Sequence, residues 1–148
     1  MKEAGLTKQE RNFLALLRAW MILFLFAMGI FIIAPDWMLD YLMAIGRGIF
    51  DWREPAITLG NERFWLVLAI ALLACLSYLC FVAQRDFLRN MEYAKTIIVS
   101  KFVSTAGFVI CLVTVEARFF YLVGAIIDGI LFVTTWYYYN AAAKSRSR

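Results

Sequence analysis

Residues 64–84 read FWLVLAIALLACLSYLCFVAQ, a run with no charge, bracketed by Glu62 and Arg63 on one side and Arg85 and Asp86 on the other. At about 1.5 Å per residue a helix of that length covers about 30 Å, the hydrocarbon thickness of a bilayer. The run is therefore a membrane span, and it sets the scale for the rest of the chain. Outward from it, three further segments qualify. The first is 13–34, charge-free from 19 onward and broken at Pro35. The third is 96–115, with Lys101 inside it, and the fourth is 119–139, with Asp128 inside it. Glu116, Ala117 and Arg118 leave only a tight turn between the last two. The expected fold is all-α, a four-transmembrane-helix bundle making one integral membrane domain of 148 residues.

Composition agrees. Apolar residues make up 64% of the chain against about half in a globular protein, so the chain is not built for water. Basic residues before an apolar run also describe a signal peptide. Here the run is longer than a usual signal core, and Ile32, Ala34 and Pro35 form a poor cleavage site, so a retained anchor is expected.

Orientation follows from the placement of the 15 lysines and arginines. On one side lie 11 of them: Lys2, Lys8, Arg11, Arg18, Arg85, Arg89, Lys95, Lys101, Lys144, Arg146 and Arg148. The other side has 4: Arg47, Arg53, Arg63 and Arg118. Cationic loops stay in the cytoplasm, so both termini are expected inside, with the chain in a bacterial inner membrane. Trp20 and the run Trp136 to Tyr139 mark the inner headgroup level, and Trp37, Trp65 and Tyr121 the outer one. The basic residues are spread over three segments and the aromatics are committed to the membrane, which argues against nucleic acid as a partner. The lipid bilayer, further copies of the chain and other membrane proteins are the partners expected.

The long connection, 35–63, is read as external. Met38, Tyr41, Leu42, Ile45 and Ile49 recur at helical spacing, which predicts a short interfacial helix between the first two spans, ended by Gly46 and Gly48. The segment is acidic, with Asp36, Asp40, Asp51, Glu54 and Glu62 outnumbering three arginines. Two readings stay open: a lid over the bundle, or a partner-docking loop carried by Asp36, Asp40, Asp51 and Glu54.

Cys75, Cys80 and Cys111 all fall in apolar runs, where a thiol is a small hydrophobe. Cys75 and Cys80 are five apart, roughly 140° around a helix, which suits neither a C-x-x-C pair nor a metal clamp. The chain has no histidine, which removes imidazole-ligated haem, histidine zinc sites and Ser-His-Asp chemistry. No cofactor, no metal and no catalytic residue are expected.

Asp128 needs a reason, because an ionised carboxylate midway along a span is costly unless paired, hydrated or protonated. Tyr121, Gly124, Ala125, Thr135 and Tyr139 share its stripe, which is expected to face the bundle interior. Ala125 and Gly129 form a small-xxx-small step beside it. On the third span Lys101, Ser104 and Thr105 share a face with Phe108. Asp128, Lys101, Ser104, Thr105 and Tyr121 are thus the candidate intramembrane polar site. Counted from the inner span ends, Lys101 lies about five residues deep and Asp128 about eleven, a difference of roughly 9 Å. The lysine either bridges that gap or snorkels toward the cytoplasm.

From Tyr78 to Tyr139 the order of features resembles small bacterial four-helix inner-membrane proteins of the DoxX-like type. The carriers are Tyr78-Leu79 ending the second helix, Gln84-Arg85-Asp86 in the inner loop, Lys101 one turn into the third helix, and Ile126-Ile127-Asp128-Gly129 in the fourth. The resemblance covers under half the chain and has no counterpart for 35–63. It implies an inner-membrane bundle, some of whose relatives associate with redox partners, and it brings no catalytic residue. Other four-helix families fit less well, since there is no C-x-x-C of disulfide-generating membrane enzymes and no glutamate in the first span of the kind small multidrug exporters carry.

Two functions are compatible with these residues. One is a non-enzymatic accessory or structural subunit of a homo-oligomer or larger membrane complex, with Asp128 a buried contact that fixes helix register. The other is a small oligomeric transporter or channel in which Asp128 binds a proton or cation.

Overall fold

The computed structural model describes residues 5–52, 63–115 and 117–146, except the Arg63 side chain. Among them are six helices and no strand: α1 (Lys8–Ile33), α2 (Pro35–Phe50), α3 (Arg63–Arg85), α4 (Phe87–Asn90), α5 (Tyr93–Thr114) and α6 (Phe119–Arg146). Four of these, α1, α3, α5 and α6, are long and apolar enough to cross a membrane. The chain is a multi-pass, all-α membrane protein.

The helix ends follow local chemistry. α1 opens on a capping box: the Glu10 backbone N–H donates to Thr7 Oγ1 at 3.2 Å, and the Thr7 N–H donates to Glu10 Oε2 at 2.8 Å. It stops at Ala34 (φ −147°, ψ 57°), since the residue before a proline is driven out of the helical region. Pro35 then opens α2, where its missing N–H leaves nothing unpaired.

The interfacial helix is longer than its glycines indicate. It runs through Gly46 and Gly48 to Phe50 and is ended by Asp51 in the left-handed conformation (φ 49°), with the Trp52 N–H bonded to Gly46 O at 3.0 Å. Gly46 serves packing instead of termination. A Cβ there would lie 2.8 Å from the Phe119 ring, so only glycine lets α2 rest on the start of α6. Around α2 three arcs are distinct. Leu39, Leu42, Met43 and Gly46 turn to the bundle, Asp36, Asp40 and Arg47 form an exposed polar arc, and Trp37, Tyr41 and Ile49 form an exposed apolar one. Protein on one side, acyl chains on the second and water on the third is the environment of an interfacial helix.

Within the bundle α1 packs between α3 and α6, α5 lies along α6, and α3 and α5 close the ring more loosely. The helices outrun their apolar segments. α1 starts at Lys8 instead of 13, α5 at Tyr93 instead of 96, and α6 continues past 139 to Arg146. These extensions are polar helix ends, favoured by the Thr7 cap at one terminus and by Lys144 and Arg146 against the dipole at the other.

The core is concentrated at the end where the described termini meet. Phe13, Leu17, Leu76, Cys80, Ala83, Phe87, Ala94, Ile97 and Tyr139 bury one another there. Phe13 is fully buried and meets Phe87 and Tyr139 edge-on, with ring centroids 5.8 and 6.0 Å away. Toward the α2 end packing thins. Past Phe24 on α1, before Leu76 on α3 and past Lys101 on α5, no described residue is buried, and side chains such as Phe26, Val67 and Val113 face outward. In water that surface would drive aggregation; in lipid it costs nothing.

Candidate functional site

The polar residues of the third and fourth spans do meet. Lys101 Nζ donates to Asp128 Oδ1 at 2.8 Å, and the Ser104 hydroxyl donates to Asp128 Oδ2. Lys101 is 5% exposed and Asp128 8%, so this is a buried ion pair with both carboxylate oxygens occupied. The Phe24 ring of α1 completes the enclosure, its centroid 5.1 Å from the ammonium.

The register explains how the lysine reaches. The Phe102 ring packs tilted against that of Phe132, and Thr105 lies beside Gly129, so Lys101 stands opposite Val133 on α6. That is five residues, about 7.5 Å, from Asp128 toward the end where the described termini meet. The lysine stem therefore extends toward the middle of the bundle, not toward the end where the described termini meet. Neutralisation outweighs snorkelling here, because an ionised carboxylate left alone in the span would be costly.

Thr105 bonds within its own helix, and Tyr121 lies against aromatic rings. The Thr105 hydroxyl donates to the carbonyl of Lys101 in its own helix at 2.7 Å and does not bond the carboxylate. A hydroxyl one turn from a carbonyl finds that partner without leaving its helix, and the Thr105 methyl is left to pack on Gly129. Tyr121 lies two turns outward from Asp128, its ring centroid 4.2 Å from that of Phe120 and 6.4 Å from that of Phe108. A close step between α5 and α6 is made at Gly124, where a Cβ would lie 2.8 Å from the Phe108 ring, while Gly129 meets the Thr105 methyl at ordinary contact distance.

Three polar arrangements were not legible in the spans. Thr135 is fully buried, donates to Leu131 O at 2.5 Å and accepts the Trp20 indole N–H at 3.0 Å, so Trp20 turns into the bundle besides marking the interface. Below it the Tyr139 hydroxyl donates to Glu92 Oε1 at 2.7 Å, and Lys95 pairs with the same carboxylate. Lys95, then Tyr139, hold the Glu92 carboxyl below the usual carboxylate range.

The third arrangement clasps the two ends. Thr7 and Ser145 share a hydroxyl bond of 2.9 Å, and Arg146 donates to Leu88 O at 2.7 Å. Glu10, only 2% exposed, has its Oε1 4.0 Å from Arg146 Nε and without a hydrogen bond. The first helix thus does contain a glutamate, because α1 begins before the apolar run, but it lies in the first turn as part of the cap. The Thr7-x-x-Glu10 spacing was the signal that could have located it.

In the segment between α1 and α3, Asp36 and Asp40 are exposed one turn apart on α2, Asp51 is the helix-ending residue, and Glu54 lies outside the described residues. Among the described residues no group of three or more histidine, cysteine or carboxylate side chains is placed to hold a metal ion. Cys80 is buried in the core, Cys75 faces outward, and Cys111 is half-buried. No protein-family model, curated protein or solved structure matches the chain.

Proposed function

We propose that this protein is a non-enzymatic subunit of a membrane assembly, a homo-oligomer or a larger complex, in a bacterial inner membrane with both termini in the cytoplasm. The observation that carries the proposal is the closure of the Asp128 site. Lys101 and Ser104 each bond one carboxylate oxygen and Phe24 covers the ammonium, so the pair is a charge-neutral tie between α5 and α6. Toward the α2 end α1, α3 and α5 keep apolar faces that acyl chains or a neighbouring helix can cover, and the co-purification test below decides between them. The DoxX-like resemblance belongs to the same reading, since two of the residues that carry it, Lys101 and Asp128, are the two that pair.

A transporter or channel would need Asp128 to release both partners in turn. The test compares the full chain with a Lys101→Met, Asp128→Leu double variant. Both are purified in mild detergent to record what co-purifies, then reconstituted in vesicles to measure proton and cation flux. A structural subunit keeps its oligomer or partner in both forms and shows no flux in either. A pH-dependent flux in the native chain that disappears in the double variant, with assembly intact, establishes the transporter instead.

A further inference from the structure

Burial in the described chain falls into two separate groups. In the main one, the buried residues of α1, α3 and α5 stop at Phe24, Leu76 and Lys101. Beyond those levels, and before Asp128 on α6, the buried described residues are Met43 and Gly46 on α2 and Phe119 at the start of α6. Neither Met43 nor Phe119 belongs to the main core. From Phe24 to Ala34, α1 runs ten residues, about 15 Å, without another buried side chain. What happens at the small group therefore has little means of reaching the large one.

The small group is a seat for α2. The Phe119 ring lies where a Cβ on residue 46 would stand, and the rings of Phe50 and Trp52 rest on it with centroids 5.3 and 5.9 Å away. The Trp52 indole N–H donates to Ala117 O at 2.6 Å, which ties the end of α2 to the turn leading into α6. The opposite end of α2 is a pivot. Ala34 N–H donates to Ile30 O at 2.9 Å, Met38 N–H donates to Ala34 O at 3.2 Å, and Pro35 between them has no N–H to give. Turning about φ and ψ of Ala34 leaves its N–H with α1 and its C=O with α2, so neither bond has to break.

We propose that α2 is a releasable strap. It pivots at Ala34, links the end of α1 to the start of α6 when seated on Phe119 and Ala117, and lifts away without disturbing the main core. The device is independent of the subunit reading, because it rests on the separation of the two buried groups and on the backbone at Ala34.

The test is deuterium exchange of the purified full chain in mild detergent, resolved by mass spectrometry. Residues 38–50 and 119–123 should exchange at a common rate, at least about tenfold faster than 94–97 and 135–142. Gly46→Leu forces a side chain against the Phe119 ring and should speed both of the first two segments by at least about tenfold, with the other two unchanged. The lock is Gly46→Cys with Phe119→Cys: a Cβ at 46 would start 3.0 Å from Phe119 Cβ, against about 3.8 Å in a disulfide. Oxidised glutathione should cross-link that pair and slow 38–50 and 119–123 to the rate of the main core, and reduction should restore fast exchange. Equal acceleration of the core segments by Gly46→Leu would make the chain one cooperative unit and overturn the strap. Acceleration of 38–50 without 119–123 would overturn it as well, as would failure of the pair to cross-link or a cross-link that leaves 119–123 unslowed.

Discussion

Replacing Asp128 by alanine removes the carboxylate that Lys101 pairs with and leaves an ammonium beneath Phe24. The lysine has little room to relieve this. Its Cα lies eight residues from Tyr93, about 12 Å from the inner end of α5. A lysine stem reaches about 6 Å, so the ammonium stops roughly halfway. Two separate scales then agree: stranding one partner of a buried pair costs about 3–5 kcal/mol, and inserting a lone lysine in a span costs about 2.5–3.5 kcal/mol. Asp128→Ala should therefore lower the unfolding free energy by about 3 kcal/mol. Lys101→Met with Asp128→Leu removes both charges and fills the space with apolar atoms, and should return to within about 1 kcal/mol of the native chain. Reversible unfolding in mixed detergent reads both, with Trp20 fluorescence as a local probe through its bond to Thr135. If Asp128→Ala is as stable as the native chain, or the double variant is as weak as the single one, the ion pair does not tie α5 to α6.

Three further outcomes are expected. Phe13→Ala empties a fully buried site and two edge contacts and should cost about 3–5 kcal/mol, read as a lower melting temperature; a loss under 1 kcal/mol would show that the inner core is not the stable part. Gly124→Leu drives a side chain into the Phe108 ring and should cost about 1–3 kcal/mol, with part recovered when Phe108→Ala is added; no recovery would place the clash elsewhere. The Glu92 carboxyl is held low by Lys95 and Tyr139, so its stabilising contribution is present above the ordinary glutamate range and is lost as pH falls through the lowered value. Hydrogen exchange around α4 and the start of α5 should accelerate on acidification, and Glu92→Gln should remove that dependence; an unchanged pH profile in the variant would contradict the assignment.

Much of the fold was legible because a bilayer constrains sequence more severely than water does. A span must be apolar for its full length, so 64–84 could be recognised by absence of charge alone, and Pro35 marked the first break because it both lacks an N–H and restricts Ala34. The ends were less legible, since hydropathy stops at the membrane surface while a helix does not. α1 and α6 continue as polar helix to Lys8 and Arg146, and only the Thr7 cap announced the former. Gly46 misled for a related reason: glycine favours a helix end locally, but a close neighbour such as Phe119 gives it a different use that no local rule contains.

The number of spans, the helix between the first two, and the need of Asp128 for a partner could all be read along the chain, because each is a one-dimensional consequence of what hydrocarbon excludes. Which partner it takes came from the packing of the helices. Lys101 was in reach on paper, but whether its stem turned to the surface or to the carboxylate depended on the register of α5 against α6. That register is set by Phe102 on Phe132, Thr105 on Gly129 and Phe108 on Gly124, contacts between residues far apart in the chain whose fit depends on side-chain shape.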